Sequence, residues 1–249
     1  MAGRVVVITG ASSGIGAALA ERAAAAGDAV MLVARNEARL RGVAARCGKE
    51  AHVHPADCTS RLEVRRAVAA AVARFDRIDV WVNNVGQGIT RRPSELSEED
   101  VELMMRVNVH TALFGMQEVL PHFRDRGTGH VINVSSMLGR VPFAVHRSAY
   151  NGAKHFLNAL TANFRSEMQE AHPGIVFSLV SPGVVYTDFG KNAVHGGPDS
   201  RSFPQGQSAE EVADVILQVM ETRAPDVYTR PGSHDRVVDY FDQVGRDPA

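Results

Sequence analysis

The chain has 249 residues, of which 45% are hydrophobic and 22% are charged, which is enough apolar material for a large core. Its 27 basic and 28 acidic side chains nearly balance and leave a formal net charge of -1. This balance excludes the strongly basic surface that binding to nucleic acid through its phosphates requires. We therefore expect no nucleic-acid partner.

The cysteine content and the apolar stretches predict a cytoplasmic protein. Cys47 and Cys58 are too few for a disulfide scaffold and are typical of reduced core thiols. No secretory signal precedes the first strand-like run, and charges interrupt each apolar stretch before the roughly 20 residues that a membrane span needs. We expect no membrane anchor and no metal site, because His52 and His54 have no third ligand at a suggestive spacing.

Short β-branched runs alternate with longer segments of helical periodicity along the whole chain. Seven runs are predicted to be strands, over residues 5–9, 29–34, 51–54, 78–83, 130–134, 175–180 and 226–229. Ser60, Ser97 and Ser208 each precede an acidic residue by three positions, which is the signature of a capping box at a helix start. The alternation predicts a Rossmann-type α/β fold, with a doubly wound, mostly parallel seven-stranded sheet and helices on both faces.

One domain is predicted over residues 1–249, because the chain shows no repeat, no low-complexity tract and no linker. The only long irregular stretch is 188–207, which is rich in glycine and proline. A loop of this length in a compact domain is usually a functional lid or a disordered segment. We predict that it covers a substrate site.

A glycine-rich turn follows the first predicted strand. The sequence Thr9-Gly10-Ala11-Ser12-Ser13-Gly14-Ile15-Gly16 leads directly into an alanine-rich helical segment. Glycines allow backbone amides to approach a pyrophosphate closely, and the positive end of the helix dipole points at the same anion. A plain strand-to-helix turn is the alternative. The strand-turn-helix context favours a dinucleotide site that includes Gly10, Ser12, Ser13, Gly14, Ile15 and Gly16.

The end of the second strand indicates which dinucleotide binds. Enzymes that prefer NAD usually place an acidic residue there to hold the ribose 2′-hydroxyl, whereas an arginine favours the 2′-phosphate of NADP. This chain has Val33-Ala34-Arg35-Asn36 and no acid at the strand end. We therefore predict NADP(H) as the cofactor. The alternative is that Arg35 is an exposed residue that only opens the second helix.

Tyr150 and Lys154 are one helical turn apart, so both side chains are expected on one face of a helix. A phenol normally titrates near pH ~10, and a nearby ammonium group stabilises the phenolate. Upstream, Ser136 follows a predicted strand and would place a hydroxyl at the carboxyl edge of the sheet, where open α/β sheets hold ligands. By itself this tyrosine-lysine spacing means little, because a surface helix pair shows the same pattern.

These motifs occur together and in order, and as a set they resemble the short-chain dehydrogenase/reductase family in its compact one-domain branch. The set comprises the glycine turn, Asn83-Asn84-Val85-Gly86, Asn108, Ser136, Tyr150-x-x-x-Lys154 and Pro182-Gly183-Val184-Val185-Tyr186-Thr187. The resemblance covers residues 4 to about 230.

The resemblance implies a catalytic role for four side chains. Tyr150 would exchange a proton with the substrate oxygen, and Ser136 would hydrogen-bond that oxygen. Lys154 would bind the nicotinamide ribose and lower the Tyr150 pKa, and Asn108 would hold a water that passes protons from Lys154 to solvent. Further implied cofactor contacts lie at the adenine (Asp57), at its ribose (Asn84 and Gly86) and at the nicotinamide carboxamide (Pro182, Gly183 and Thr187).

The chain departs from the family pattern at three points. Val85 stands where the family most often has alanine, and Ser13 stands where some NADP-preferring relatives have a basic residue. Arg35 therefore carries the NADP argument alone. The distance from Ser136 to Tyr150 is one residue longer than the commonest family spacing, so Ser135 is a second candidate for the role of Ser136.

The sequence leaves two classes of function open. The first is an NADP(H)-dependent oxidoreductase that interconverts a small hydrophobic carbonyl compound and its alcohol, with reduction of a 3-ketoacyl thioester as an alternative on the same fold. The second is a catalytically silent NADP(H)-binding sensor or scaffold, which is disfavoured because Ser136, Tyr150 and Lys154 are all present. The resemblance also implies a homodimer or homotetramer, with Leu103, Met104, Leu157, Leu160 and Phe164 as candidate apolar contacts.

Overall fold

The computed structural model describes residues 3–245, so the ends of the predicted 1–249 domain, residues 1–2 and 246–249, lie outside the described residues. Seven strands form one sheet. They are β1 (Val5–Thr9), β2 (Ala29–Ala34), β3 (Ala51–Pro55), β4 (Val80–Asn83), β5 (Gly129–Val134), β6 (Ile175–Ser181) and β7 (Asp226–Tyr228).

The strands are ordered β3-β2-β1-β4-β5-β6-β7, and every neighbouring pair is parallel. This is the doubly wound order, in which the chain reverses its direction of travel between β1 and β4. The predicted fold class is therefore confirmed, with a sheet that is parallel throughout. β4 begins two residues later than predicted, because the Ile78 N–H donates to the His122 ring (3.0 Å) instead of to a neighbouring strand.

Helices cover both faces of the sheet. Within residues 3–245 they are α1 (Gly14–Ala25), α2 (Glu37–Cys47), α3 (Arg61–Phe75), α4 (Glu98–Met105), α5 (Thr111–Arg126), α6 (Ser148–Ala171), α7 (Ala209–Thr222) and α8 (Ser233–Phe241). The apolar sides of α1, α2 and α7 form one buried cluster with the sheet, and those of α3, α5 and α6 form the other. No helix in this part of the chain is long and apolar enough to cross a bilayer.

Capping boxes form at two of the three predicted positions. Ser97 and Ser208 each accept a backbone N–H at the start of α4 and α7, and the acidic residue three positions later accepts the serine N–H. At α3 only half of the box forms. The Ser60 side chain accepts from the Glu63 N–H, but the Glu63 carboxylate accepts from the backbone N–H of Asp57 instead. The carboxylate thus stabilises the turn after β3.

A chain of buried polar side chains joins β4 and β5 to the helix α6. The Asn83 amide donates to the Asn133 amide oxygen (2.8 Å), and Asn133 donates to the Thr161 hydroxyl (2.8 Å). The Trp81 indole N–H donates to the Asn83 amide oxygen (2.8 Å). Because Asn133 and Thr161 are fully buried, these hydrogen bonds set the position of α6 on the sheet. That helix carries Tyr150 and Lys154.

We expect Asn133→Ala to lower the free energy of unfolding by about 2 kcal/mol, because it removes the two buried hydrogen bonds that join Asn133 to Asn83 and to Thr161. Both partners keep a hydrogen bond to a backbone carbonyl. Urea unfolding followed by circular dichroism measures this change. The exposed Asn163→Ala on the same helix serves as the control and should change stability by less than about 1 kcal/mol. Equal stabilities for the two variants would show that the buried amide chain does not stabilise the fold.

Candidate active site

The glycine turn lies at the carboxyl end of β1, against the end of β4. The Thr9 hydroxyl donates to the Val82 carbonyl (3.1 Å) and accepts from the Asn84 N–H (3.1 Å). The Asn84 side-chain amide donates to the carbonyls of Thr9 and Gly10, each at 3.3 Å. A β-carbon at Gly16 would meet the Gly10 carbonyl oxygen at 2.4 Å, so only glycine allows this approach. These contacts join the two turns that follow β1 and β4.

The start of α1 has the features of an anion site. Ser13 is the N-cap residue, but its side chain makes no capping hydrogen bond, so the first-turn amides are not satisfied by it. Gly10 and Gly14 have positive φ angles of 68° and 55°, which glycine adopts without strain. The arrangement therefore fits a pyrophosphate at the helix N-terminus. Among the other predicted contacts in this turn, Ser12 and Ile15 are both partly buried.

Thr187 is brought to the same turn from the far side of the sheet. Its γ-methyl group lies 3.2 Å from where a β-carbon on Gly14 would be. Thr187 follows β6 through Pro182 and Gly183, and the Pro182 carbonyl accepts the N–H of Met137 (2.8 Å). The segment after β6 is thus adjacent both to the glycine turn and to the segment that follows Ser136.

Arg35 and Asp57 lie at the carboxyl ends of β2 and β3. Arg35 is exposed, and within residues 3–245 its side chain makes no hydrogen bond or ion pair. The Asp57 carboxylate accepts hydrogen bonds from the N–H (2.9 Å) and the hydroxyl (2.8 Å) of Thr59. Its position is therefore set locally, whereas the Arg35 guanidinium is open to an anion.

Tyr150 lies in the first turn of α6 and is only 6% exposed. The Phe189 ring from the 188–207 loop packs against its ring with an edge contact, at 5.5 Å between centroids. Burial raises the pKa of Tyr150 to about 12, while the Ser136 hydroxyl and the Arg147 guanidinium act in the opposite direction. The phenol is consequently protonated at neutral pH. The net change in the Tyr150 pKa is a rise, because burial is the larger effect. The lowering by Lys154 that the resemblance implied stays a prediction.

Lys154 lies one turn further along α6 and is 3% exposed. Its ammonium group donates to the Val134 carbonyl (3.0 Å) and lies 5.8 Å from the centroid of the Tyr150 ring. Burial lowers the Lys154 pKa to about 8. A β-carbon at Gly86 would lie 3.7 Å from the Lys154 Nζ and 3.2 Å from the Asn108 Oδ1, so all three residues are neighbours.

Asn108 lies in a five-residue π-turn, Arg106–His110, between α4 and α5. Such turns interrupt helices most often at functional sites. The Asn108 amide exchanges hydrogen bonds with the backbone of Gln87 (3.1 Å and 3.0 Å) and also donates to the Met104 carbonyl (3.1 Å). Asn108 is thus fully buried between the turn after β4 and the Lys154 side chain.

The structure distinguishes the two candidate serines. The Ser135 hydroxyl is buried and donates to the Asn158 side chain on α6. The Ser136 hydroxyl accepts the Leu138 N–H (3.1 Å) and lies close enough to Tyr150 to act against the rise in the pKa of the phenol. The geometry therefore favours Ser136 as the partner of Tyr150.

The segment from 138 to 149 and the 188–207 loop line the approach to Tyr150. Leu138 and Phe189 pack into the apolar cluster around Tyr150. Phe143, in the first of these two segments, is half exposed, and its ring contacts Tyr240 of α8 at 5.9 Å between centroids. Phe143 is thus packed against the C-terminal helix.

Three polar side chains that no sequence motif connects attach the 188–207 loop to α4. His195 donates to the buried Asp100 carboxylate (2.7 Å), and Arg91 contacts both residues. The hydrogen bond from His195 lowers the Asp100 pKa. His195 is 95 residues from Asp100 and 104 residues from Arg91 in sequence, and only the left-handed backbone at His195 (φ 62°) hints at a special position.

The side chains considered for self-association mostly belong to the core of the same chain. Met104 and Leu157 are fully buried, and Leu160 and Phe164 pack against the α3–α5–α6 cluster. The oligomeric state stays a prediction.

The half-buried His52 ring contacts Phe75 and accepts a hydrogen bond from Arg74 (2.9 Å).

The sequence model described as short chain dehydrogenase matches residues 4–196. The chain belongs to this family. The family resemblance that the sequence motifs indicated is thereby confirmed. As a member of the short chain dehydrogenase family, the protein is an oxidoreductase. The match spans the glycine turn, Ser136, Tyr150 and Lys154.

Similar proteins include dehydrogenases and reductases, one of them in complex with NAD and another with NADPH. The chain is 34% identical to 1,6-dihydroxycyclohexa-2,4-diene-1-carboxylate dehydrogenase of Pseudomonas putida, over 95% of this chain and 84% of that protein. A short chain dehydrogenase/reductase from Burkholderia phymatum in complex with NAD has the same fold, with a TM-score of 0.88, 24% identity and coverage of 99% and 98%. The F189W actinorhodin polyketide ketoreductase with NADPH has a TM-score of 0.81 and 27% identity, and 93% of this chain and 97% of that one are covered.

We expect Lys154→Met to stabilise the short chain dehydrogenase fold by about 2 kcal/mol at pH 7, because it removes a buried cation. The folded-state pKa of about 8 lies below the ordinary value of 10.5, so between these values the unfolded chain binds more protons and wild-type stability rises with pH. The stability difference between variant and wild type should therefore shrink from pH 8 towards pH 10.5. Urea unfolding at several pH values measures it.

The exposed Lys49→Met is the matched control, and its stability should follow the wild-type pH profile. A Lys154→Met variant that is less stable than wild type at pH 7 would contradict the inferred penalty for burying the ammonium group.

Proposed function

We propose that the protein is an NADP(H)-dependent oxidoreductase that interconverts a carbonyl compound and its alcohol. The observation that supports this most strongly is the buried group of Ser136, Tyr150 and Lys154. The group lies at the carboxyl edge of the parallel sheet, close to the glycine turn and Thr187, where doubly wound sheets hold dinucleotides. Similar proteins named as dehydrogenases or ketoreductases with NAD or NADPH support the same class.

Each catalytic side chain has a proposed task. Tyr150, protonated at neutral pH, donates its proton to the substrate oxygen in reduction and takes it back in oxidation. Ser136 hydrogen-bonds the same oxygen and stabilises the charge that develops on it. The Lys154 ammonium group stabilises the Tyr150 phenolate that forms, and Asn108 orders a proton path from Lys154 towards solvent.

The cofactor is proposed to lie across the top of β1 and β4. When bound, it supplies or accepts the hydride. The free amides at the start of α1 hold its pyrophosphate, together with Gly10, Ser12, Ser13, Gly14, Ile15 and Gly16. Asp57, Asn84 and Gly86 contact its adenosine half, and Pro182, Gly183 and Thr187 contact its nicotinamide half. Arg35 contacts the 2′-phosphate.

The substrate is proposed to be a small, mainly hydrophobic carbonyl compound or alcohol, since the apolar side chains of Leu138 and Phe189 pack in the cluster that contains Tyr150. Reduction of a 3-ketoacyl thioester is a second candidate, favoured by the similarity to a polyketide ketoreductase. Both reactions use the same side chains in the same roles. We also propose a cytoplasmic location, which fits the two free thiols of Cys47 and Cys58, and assembly into a homodimer or homotetramer.

We expect Tyr150→Phe to lower kcat by on the order of 100- to 10,000-fold, because the substrate oxygen loses its proton donor. NADPH and NADH consumption is measured with a panel of ketones, aldehydes and 3-ketoacyl thioesters. Tyr228→Phe on β7 is the matched control and should retain wild-type turnover. Undiminished turnover by Tyr150→Phe would overturn the mechanism, and tight NADPH binding without any turnover by wild type would favour a sensor.

We expect Arg35→Asp to reduce the preference for NADPH over NADH by on the order of 100-fold, because it replaces an attraction for the 2′-phosphate by a repulsion. The ratio of kcat/KM for the two cofactors with one ketone measures this preference. Arg41→Asp makes the same charge change on the exposed side of α2, where Arg41 pairs with Glu37, and should leave the ratio within about threefold of wild type. An unchanged ratio in Arg35→Asp would refute the assignment.

A further inference from the structure

Arg147 is a half-buried cation directly beside the candidate catalytic tyrosine. It precedes the first turn of α6, three residues before Tyr150. Its charge is close enough to counteract the burial-induced rise in the Tyr150 pKa. Helical spacing brings residues three apart onto one face, which explains how the two side chains come close to each other.

The surroundings of Arg147 have little room for any other side chain. Its Nη1 donates to the Ile89 carbonyl (3.1 Å) in the segment after β4. A β-carbon on Gly88 would lie 2.8 Å from Nη1, and one on Gly197 would lie 3.3 Å from Nη2. The guanidinium is therefore held between two glycine backbones, one of which belongs to the 188–207 loop. This placement restricts its orientation and leaves it between the loop and Tyr150.

Arg147 has no counter-ion within residues 3–245. The neighbouring arginines do: Arg91 contacts the Asp100 carboxylate, and Arg201 pairs with Asp188 and Asp199. The single hydrogen bond of Arg147 uses one of its five N–H groups. The Nε and Nη2 atoms make no hydrogen bond within residues 3–245, and neither is fully buried. A half-buried guanidinium with free donors and no carboxylate partner favours an anionic ligand.

We propose that Arg147 binds a carboxylate of the substrate and thereby orients the carbonyl group towards Tyr150. The ligand chemistry is that of an oxo acid or hydroxy acid with an apolar body, because apolar side chains lie beside both Tyr150 and Arg147. The Phe189 ring packs against Tyr150, and it lies 3.0 Å from the β-carbon position on Gly88 that Arg147 Nη1 approaches to 2.8 Å. Leu138 belongs to the same apolar cluster as Tyr150. A planar guanidinium matches a carboxylate with two parallel hydrogen bonds, which fixes orientation as well as affinity. This proposal rests on the proposed function and names its substrate class.

The test compares oxo acids with their uncharged primary amides. The series runs from 3-oxobutanoate to 6-oxoheptanoate, so that the separation of ketone and carboxylate varies, and the cofactor is NADPH. For wild type, the best acid should exceed its amide in kcat/KM by on the order of 100-fold, because only the acid forms the charged pair. In Arg147→Gln this ratio should fall to about one, mainly through a higher KM for the acid.

Two further variants separate a binding role from a structural one. Arg147→Lys keeps the charge but not the planar fork, so it should retain part of the acid preference. Arg66→Gln, an exposed change on α3, is the control and should leave the ratio at its wild-type value. If Arg147 only held the Gly88 and Gly197 segments in place, Arg147→Gln would lower turnover of acid and amide by the same factor, and the proposal would be overturned.

A binding measurement distinguishes failure of this proposal from failure of the proposed function. Isothermal titration calorimetry measures binding of the same acids and amides to the protein saturated with NADP+. Wild type and Tyr150→Phe should both bind the preferred acid, whereas Arg147→Gln should bind it at least about tenfold more weakly. If wild type binds the acid but turns over no substrate, the oxidoreductase assignment is overturned and the Arg147 proposal stands. If wild type turns over ketones but binds acid and amide with equal affinity, the Arg147 proposal is overturned and the oxidoreductase assignment stands.

Discussion

The hydrogen bonds between Thr9 and Asn84 are the contacts on which the site depends. They tie the ends of β1 and β4 together at the point where the chain changes its direction across the sheet. A parallel sheet with helices on both faces opens a crevice there, since the helices after the two strands lie on opposite faces. The same contacts bring Gly16 against the Gly10 carbonyl and leave the first amides of α1 without a capping side chain. The anion site is thus a consequence of strand pairing.

Burial is the second constraint, and it acts on the tyrosine and the lysine in opposite ways. A low-polarity environment disfavours the charged form of any group, so it raises the Tyr150 pKa and lowers that of Lys154. The folded protein therefore keeps a neutral phenol next to an ammonium group whose pKa is lowered. At neutral pH the buried ammonium group destabilises the fold, whereas the phenol is neutral in both states and does not; such local penalties are common where side chains are placed for chemistry. The buried amides of Asn83 and Asn133 and the wide apolar clusters offset this penalty.

The proposed catalytic side chains and the proposed substrate walls come from different parts of the chain. The proposed catalytic side chains come from the segment that follows β5, from α6 and from the π-turn, which are held by the core. The walls of the approach come from 138 to 149 and from the 188–207 loop, where Phe189 contacts Tyr150 and His195 contacts Asp100. Loops on a rigid scaffold change without disturbing the sheet, so one arrangement of catalytic groups serves many substrates. Arg147 links the two parts, because its backbone starts α6 while its guanidinium faces the loop.

Sequence patterns alone predict the strand runs, the glycine turn and the tyrosine-lysine pair, because these patterns are local. β1 and β2 are buried on both faces and consist of unbroken apolar runs, and the Gly10 to Gly16 spacing follows from one backbone turn. Only the tertiary structure decided between Ser135 and Ser136, through the Asn158 side chain on α6. It also decided the direction of the Tyr150 pKa and the environment of Arg147. Burial and contacts between distant segments set these properties, and the spacing of neighbouring residues in the sequence predicts neither.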